Sequence, residues 1–432
     1  CDCKQSLLLG WPLSSMHTML RARRFVAAAW RARRGVAFEG ARRPPPASGE
    51  GVSWCAKAAG GSLTAGVLGF ALQRHSACQT RDTSRDTPLD VRLGLTNAAD
   101  TAFPVGWGIL GAGDISSDWA KSLADVPGAN LIAVAARSVE KATEFAATHG
   151  VLRVHQTYKE LVADPAVDVV YVGTITSLHK EHTMLAIAAG KHVLCEKPLA
   201  ESEADAREMY EAAAAKGVML QEGMWTRFFP AVDHARYELE KGTIGEVVMV
   251  QADFPDQCYA IQAAPLGFGA TDLPTMVAAT SCGNAANAVL AQYGGRGCAV
   301  MSFPVWDCEY PEVIEIIGKK GRITLDPWGH HPTRVTVRTT PPELLALGPG
   351  QHTSTSQNNT TPKTEQSEYP IPLPSGVPAP GWHFSNQHGF VYQAEAIHRC
   401  LAAGLRECPQ YTREDSLHVM HILDFVAAQS GK

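Results

Sequence analysis

The chain has 432 residues, of which 45% are hydrophobic and 19% charged, a composition typical of a globular protein long enough for two domains. Residues 105–432 carry 24 Lys and Arg against 36 Asp and Glu, which argues against nucleic acid as a partner. The 11 cysteines include no C-x-x-C pair, so we predict neither a structural zinc site nor a disulfide scaffold, and no other metal site.

Residues 1–104 differ in composition from the rest, with 14 Lys and Arg against 7 Asp and Glu. The stretch 19–51 is Arg-rich, poor in acidic residues and followed by a Pro/Gly/Ser run, as in organelle transit peptides. We expect a targeting or disordered extension over 1–104 and an organelle-matrix protein, plastid or mitochondrial, after its removal. If this N-terminus is an artefact, we expect a cytoplasmic protein. The apolar stretch 63–72 is shorter than the ~20 residues of a membrane span, so we expect no membrane partner.

Short apolar runs alternate with helical patterns from residue 105 onward. The segments between the runs have helical spacing, and Gly150 and Gly190 mark helix ends. This alternation predicts an α/β architecture that begins with a Rossmann domain, a doubly wound parallel sheet over 105–222. Its predicted strands include the runs 129–137, 168–174 and 192–196.

The first predicted strand ends in a glycine-rich turn, "WGILGAGDISSDW", that leads into a helix. Gly111 allows the tight turn, and Gly113 lets the backbone approach a pyrophosphate that the helix amides then face. Ser116 replaces the third glycine and is small enough for close packing of the helix on the strand. This strand–turn–helix context predicts a dinucleotide site.

The end of the second predicted strand bears on the choice between NAD and NADP. NAD sites usually place an acidic residue there, but this strand ends in Arg137 and Ser138, with Lys141 one turn into the helix. An arginine, a hydroxyl and a lysine would bind the 2′-phosphate of NADP. We predict NADP as the cofactor, and NAD is the alternative if these charges are only a solvated pair.

The run "HVLCEKP" (192–198) ends a buried strand in charged residues. Ligands of open parallel sheets bind at the carboxyl ends of the strands, so the ammonium of Lys197 can reach the nicotinamide edge. Pro198 fixes the turn and can hold a cis peptide.

The hydrophobic pattern changes to a period of two after the predicted helix 231–245. It predicts an α+β domain over 223–432 with a mostly antiparallel open sheet, closed by two helices. Residues 341–381 are rich in Pro, Ser, Thr and Asn, and we expect them to form a mobile insertion.

Several of these motifs resemble those of a known family. "GAGDIS", "HKEHTMLAIAAGKHVLCEKP" and "IIGKKGRITL" are similar to the Gfo/Idh/MocA oxidoreductases over most of 105–430. "YVGTITSLHKEH" and "MWTRFFPA" resemble the dihydrodiol dehydrogenase branch, which also includes NADP-dependent D-xylose dehydrogenases. The resemblance implies a homodimer formed through the antiparallel sheet.

The resemblance also implies roles for single residues. Lys197 matches the lysine that contacts substrate and nicotinamide, and Arg137 and Lys141 match the basic pair that holds the 2′-phosphate. Further positions of the implied cofactor site are Ile115, Thr174, Glu196 and Pro198.

Three more residues are implied contacts of the substrate. His179 and Trp225 match residues that line the site, with a loop histidine and a core aromatic as the alternatives. Arg227 is either a substrate contact or a salt-bridge partner.

The chain departs from the family pattern where the proton donor is expected. The family has a glycine-rich stretch that ends in a Tyr or His, but this chain reads "QADFPDQCYAIQAAPLGFG". We infer that roughly twenty family residues are absent between Phe254 and Cys258. Tyr259 is the candidate acid/base, with Lys197 as the cation that would let it ionise, and Asp256 is the candidate for the motif aspartate.

These features predict an NADP-dependent oxidoreductase that transfers hydride from a polyhydroxylated substrate, a trans-dihydrodiol or an aldose such as D-xylose. Two alternatives stay open. The missing segment would suit a non-catalytic NADP(H)-binding protein, and a different function for Arg137 would suit an NAD-dependent sugar or inositol dehydrogenase. We expect the remaining histidines, including His330 and His331 on a turn, to be structural.

Overall fold

A computed structural model describes residue 85 and residues 87–282, 285–304, 310–326, 328–346, 362–370, 381–384 and 387–429. The predicted transit peptide lies outside the described residues. Among the residues that are described, no helix is both long and apolar enough to cross a membrane.

The folded part begins before residue 105. Residues 87–104 contain helix α1 (Leu89–Arg92) and a 3-10 helix (Ala98–Ala102). Asp90 is fully buried, and its carboxylate accepts a hydrogen bond of 2.7 Å from Arg399 near the other end of the chain. The prediction of a disordered extension up to residue 104 is therefore wrong for residues 87–104, because a buried ion pair anchors them.

The first sheet has six parallel strands in the order β3-β2-β1-β4-β5-β6. The strands are β1 (Val105–Leu110), β2 (Ala129–Ala135), β3 (Arg153–Val154), β4 (Val169–Val172), β5 (His192–Cys195) and β6 (Leu220–Glu222). All six residues of β1 are buried, as expected for a central strand that is covered by helices on both faces. The predicted doubly wound parallel sheet is confirmed.

Helices connect these strands and begin and end where local chemistry predicts. They are α2 (Asp114–Leu123), α3 (Val139–His149), α4 (Tyr158–Ala163), α5 (His179–Ala188) and α6 (Glu203–Lys216), with a 3-10 turn at Thr176–Leu178. Ser202 caps α6 by accepting a hydrogen bond from the third amide of the helix, and Gly217 ends it in the left-handed conformation.

The second sheet has eight strands in the order β14-β13-β12-β11-β7-β10-β9-β8. The strands are β7 (Val247–Asp253), β8 (Met276–Cys282), β9 (Ala285–Gln292), β10 (Cys298–Ser302), β11 (Ile314–Gly318), β12 (Gly321–Asp326), β13 (Arg334–Thr339) and β14 (Lys363–Glu368). Its pairings are antiparallel except that of β7 with β10, so the predicted mostly antiparallel sheet is confirmed.

The predicted mobile insertion over 341–381 contains ordered structure. Helix α10 (Pro342–Leu345) and strand β14 lie within it, and β14 pairs with β13 along its full length. The prediction is wrong for these residues because a polar, threonine-rich segment can still form an edge strand once its backbone is paired. Residues 347–361 and 371–380 of the insertion lie outside the described residues.

The remaining helices are α7 (Pro230–Glu240), α8 (Gln257–Ile261), α9 (Ala263–Phe268), α11 (Phe390–Ala402) and α12 (Arg413–Gln429), with 3-10 turns at Trp225–Phe228 and Gln387–Gly389. Helix α11 returns to the first sheet, where the indole nitrogen of Trp107 in β1 donates to His398 at 3.1 Å. The last segment of the chain thus packs on the Rossmann sheet.

A buried carboxyl at the end of β6 makes the stability of this fold depend on pH. Glu222 accepts hydrogen bonds from the amide of Leu199 (2.9 Å) and the hydroxyl of Ser416 (2.5 Å). Burial raises its pKa from 4.5 to about 7, although both hydrogen bonds lower it. Between these two pH values the folded state binds more protons than the unfolded state, so this contribution to stability is lost as pH rises.

We predict that Glu222→Gln, which is neutral at every pH, gains stability relative to the wild type as pH rises from 5 to 8. The gain should be at most about 3 kcal/mol, measured as the difference in free energy of unfolding in urea at the two pH values. Glu211→Gln on the exposed face of α6 is the control and should show no such trend. A parallel pH dependence of Glu222→Gln and the wild type would contradict the prediction.

Candidate functional site

The glycine-rich turn after β1 leaves an open place for an anion. Gly111 has a φ of +98°, and a Cβ there would lie 2.8 Å from the carbonyl oxygen of Gly173, so only glycine fits. Gly113 is the N-cap of α2, no side chain caps that helix, and a Cβ on Gly113 would meet nothing within 4 Å. The first amides of α2 therefore face open space, as a pyrophosphate site requires.

Ser116 lies one turn into α2. Its hydroxyl oxygen is buried and has no hydrogen-bond partner among the residues that the structure describes. A Cβ on Gly173 would lie 2.2 Å from that oxygen, so helix and strand approach as closely as Ser116 was predicted to allow. The residues of this turn fit a dinucleotide.

The end of β2 carries two exposed cations. Arg137 and Lys141 form no ion pair with any described residue, so their charges are available to a ligand. Ser138 has a structural task, because it caps α3 by accepting from the amide of Lys141 at 3.3 Å and donates to Glu140 at 2.6 Å.

A cavity of about 700 Å³ lies at the carboxyl ends of the parallel strands. That volume suits a small-molecule site. Its wall includes seven residues that the sequence analysis assigned to the site: Ile115, Thr174, His179, Glu196, Lys197, Asp256 and Tyr259. The carboxyl ends of the parallel strands and the start of helix α8, which follows β7 of the second sheet, thus meet in one place.

Lys197 follows β5, and its peptide bond to Pro198 is cis, as the sequence allowed. Its ammonium forms an ion pair with Asp256 and lies 4.4 Å from the centre of the Tyr259 ring. Burial lowers the pKa of Lys197, but the neighbouring Tyr259 and Asp256 raise it by more. The ammonium therefore stays charged inside the cavity.

Tyr259 faces the cavity from α8, and the indole nitrogen of Trp225 donates to its hydroxyl oxygen at 2.6 Å. Burial raises the pKa of Tyr259, and the opposing effect of Lys197 does not offset it. The expectation that Lys197 would let this phenol ionise is thus corrected, because desolvation of the phenolate outweighs the attraction of the ammonium. Tyr259 keeps its proton near neutral pH.

Asp256 uses both carboxylate oxygens. One pairs with Lys197, and the other accepts from the amide of Cys258 at 3.0 Å as the N-cap of α8. Only two residues separate Asp256 from the end of β7, so no glycine-rich segment precedes the tyrosine. The short connection nevertheless brings Tyr259 into the cavity.

His179 and Glu196 support the loops around Lys197. The ring nitrogens of His179 lie 2.8 Å and 3.0 Å from the carbonyl oxygens of Pro198 and Thr174, so the ring joins the ends of β4 and β5. Glu196 accepts from the hydroxyl of Tyr171 at 2.7 Å, and burial raises its pKa.

The two remaining predicted substrate contacts lie behind the wall. Trp225 is fully buried and reaches the site through its hydrogen bond to Tyr259. Arg227 does not line the cavity, and its guanidinium pairs with Asp415 at 2.9 Å and donates to the carbonyl of Gln262. The structure contradicts a substrate contact for Arg227, because this buried ion pair uses its charge.

The polar wall residues that the sequence analysis did not assign to the site include Glu312 and His330. Glu312 accepts from Nδ1 of His330 at 2.7 Å, and Nε2 of His330 lies 2.7 Å from Nδ1 of His331. Glu312 precedes β11, while both histidines lie between β12 and β13, so only the pairing of the strands brings them together. The one local signal was the His-His pair, which was interpreted as a structural turn.

Comparisons with known proteins agree with this geometry. The sequence model described as "Oxidoreductase family, NAD-binding Rossmann fold" matches residues 105–224. Trans-1,2-dihydrobenzene-1,2-diol dehydrogenase of Xenopus laevis is 32% identical to this chain in an alignment of 352 residues. The alignment covers 75% of this chain and 98% of that protein. The Homo sapiens enzyme of the same name is 30% identical over 344 residues, 75% of this chain and 96% of that protein.

Solved structures show the same fold. Levoglucosan dehydrogenase in complex with NADH and levoglucosan aligns with a TM-score of 0.61 at 17% identity, over 76% of this chain and 98% of that one. A 3-ketoreductase from Actinomadura kijaniata in complex with NADP aligns with a TM-score of 0.57 at 23% identity, over 75% and 97% of the chains. A nicotinamide cofactor is supported, whether NAD or NADP.

Substitution of the two glycines of the turn should cause different defects, in cofactor binding for Gly113 and in stability for Gly111. Gly113→Ala should leave the free energy of unfolding unchanged within about 1 kcal/mol and weaken binding of the nicotinamide cofactor roughly tenfold, because its methyl group occupies the anion's space. Gly111→Ala should lower the free energy of unfolding by about 1–3 kcal/mol, because the left-handed backbone there strains any other residue. Urea denaturation and fluorescence titration with NADH and NADPH measure the two quantities. Gly113→Ala with unchanged affinity for both would contradict this assignment.

Proposed function

Because the chain belongs to the Gfo/Idh/MocA oxidoreductase family and its curated relatives are dehydrogenases, we propose that it oxidises a polyhydroxylated substrate with NADP. The substrate class is a trans-dihydrodiol or an aldose such as D-xylose. The observation that carries this proposal is the Lys197–Tyr259 pair in a cavity that adjoins the glycine-rich turn. The names of the relatives support a diol substrate, and the sugar in the levoglucosan complex supports a polyhydroxylated ring.

The chain has residues that suit two groups of NADP, the pyrophosphate and the 2′-phosphate. The amides after Gly113 would hold the pyrophosphate, and Arg137 and Lys141 would pair with the 2′-phosphate. The cofactor supplies the hydride acceptor, or the hydride donor in the reverse direction. The alternative, NAD, would leave the two cations without an anionic ligand.

Tyr259 and Lys197 handle the proton and the charge on the substrate oxygen. In oxidation, the phenolate form of Tyr259 would take the hydroxyl proton of the carbinol, while the bound cofactor would supply the hydride acceptor. The ammonium of Lys197 stabilises the negative charge that develops on the oxygen. Since the pKa of Tyr259 is raised, its protonated form suits carbonyl reduction near neutral pH, and the oxidation rate should increase as pH rises.

A second candidate is a protein that binds NADP(H) without turnover. The short connection between β7 and α8 favours it, because both oxygens of Asp256 are already engaged and the family's glycine-rich segment is missing. The position of Tyr259 inside the cavity favours the enzyme.

Replacing the tyrosine separates the two candidates. Tyr259→Phe should lower kcat for diol oxidation roughly 100-fold or more, because it removes the acid/base, while affinity for the cofactor stays unchanged. Tyr237→Phe is the matched control, since that ring lies on α7 and contacts Arg92 and Lys241 outside the cavity. Steady-state rates over a panel of diols and aldoses measure the effect. Equal rates for Tyr259→Phe and the wild type would overturn the assignment of Tyr259.

The cofactor preference depends on the two exposed cations. Arg137→Ala should raise KM for NADP roughly tenfold or more and leave KM for NAD within about twofold, because only NADP carries the 2′-phosphate. Lys159→Ala, an exposed lysine of the same sheet's helices, is the control. An equal change in KM for both cofactors would argue against a 2′-phosphate contact.

A further inference from the structure

A carboxylate held by a histidine lies in the same cavity as Lys197 and Tyr259, and the proposed reaction does not use it. Glu312 accepts from His330 at 2.7 Å, and the ring of His330 is 5.9 Å from the ring of Tyr259. Glu312 and His330 both line the cavity, while His331 is buried behind them. The carboxylate therefore lines the same cavity as Tyr259, and His330 is a neighbour of both residues.

The backbone fixes the position of Glu312. Its amide donates to Asp253 at 2.7 Å, and its carbonyl accepts from Gly329 at 2.5 Å. Glu312 has a φ of +49° and Trp328, just before Gly329, a φ of +65°, a region that costs a non-glycine residue about 1 kcal/mol or more. Strain of this kind accumulates where a side chain must hold one position, as in a binding site.

Among the cavity's carboxylates, Glu312 has an oxygen to offer. Both oxygens of Asp256 are engaged, and Glu196 accepts from the Tyr171 hydroxyl with one oxygen and the Lys197 amide with the other. Glu312 gives one oxygen, Oε2, to His330. Its other oxygen, Oε1, receives no hydrogen bond from the part of the chain that the structure describes.

We propose that Glu312 binds the hydroxyl group next to the carbon that is oxidised, and that His330 is its positioning residue. The site would thereby select 1,2-diols over mono-alcohols. A hydroxyl donates a charge-assisted hydrogen bond to the carboxylate, whereas a substrate without that hydroxyl leaves the carboxylate desolvated and unpaired. Sites built for a hydroxyl reject analogues that lack it for this reason. The inference rests on the proposed function and adds the group that recognises the second hydroxyl.

The test compares trans-cyclohexane-1,2-diol with cyclohexanol. Dissociation constants of both are measured by calorimetry on the protein saturated with its preferred nicotinamide cofactor, together with KM and kcat. Glu312→Gln should weaken diol binding roughly 10-fold or more, because the amide lacks the charge, and leave cyclohexanol within about twofold. His330→Phe should reduce the preference for the diol in the same direction, since Glu312 then loses its hydrogen-bond donor.

The matched control is Glu315→Gln, a carboxylate of β11 whose contacts are Arg322 and Thr324 and which does not line the cavity. Equal weakening of diol and mono-alcohol in Glu312→Gln would overturn the specificity role and leave the proposed function intact. Selective diol binding without turnover would instead contradict the proposed function alone.

Glu312, His330 and His331 offer a second kind of ligand site, one for a metal ion, and the same binding measurements after metal removal test it. The ligand atoms of Glu312, His330 and His331 lie within 4.8 Å of one another, a set that could hold a metal ion. We expect protein dialysed against EDTA to keep its preference for the diol. Loss of that preference after dialysis and its return with Zn²⁺ alone would overturn hydroxyl binding by the carboxylate.

Discussion

The electrostatics of the cavity depend on one buried cation, the ammonium of Lys197, which stays charged although it is removed from water. Burial alone would favour the neutral amine, but the Asp256 carboxylate that pairs with the ammonium opposes that effect. The same arrangement limits what the cation does to Tyr259, because much of its charge is already balanced by Asp256. The phenol therefore remains protonated although a cation lies 4.4 Å from its ring.

A single residue, Asp256, compensates for the short connection between β7 and Tyr259. Asp256 caps α8, which carries Tyr259, and also pairs with Lys197 at the end of β5. One carboxylate thus couples the position of Tyr259, after β7 of the second sheet, to the position of Lys197, after β5 of the first. This double use explains how so short a connection places both groups together, and it gives each oxygen of Asp256 a partner.

The features that the sequence predicted are those determined by neighbours along the chain. The parallel sheet follows from apolar runs such as β1, and the open turn before α2 follows from Gly111 and Gly113, whose strand, turn and helix are contiguous. The features that the sequence predicted wrongly or left open involve partners that are distant in sequence. Asp90 is held by Arg399, 309 residues away, and Arg227 by Asp415, 188 residues away, so the order of residues 87–104 and the ion pair of Arg227 could not be derived from local patterns.

The two walls of the cavity differ in the same way: one is built from neighbours along the chain, and the other from segments that are distant in sequence. The cofactor side consists of strand ends and helix starts of one parallel sheet, whose chemistry is common to the family. The other side includes the β7–α8 connection, the segment before β11 and the turn between β12 and β13, which the second sheet brings together. Changes in that wall leave the glycine-rich turn and the end of β5 untouched. Substrate preference can therefore diverge within the family while the cofactor side of the cavity is retained.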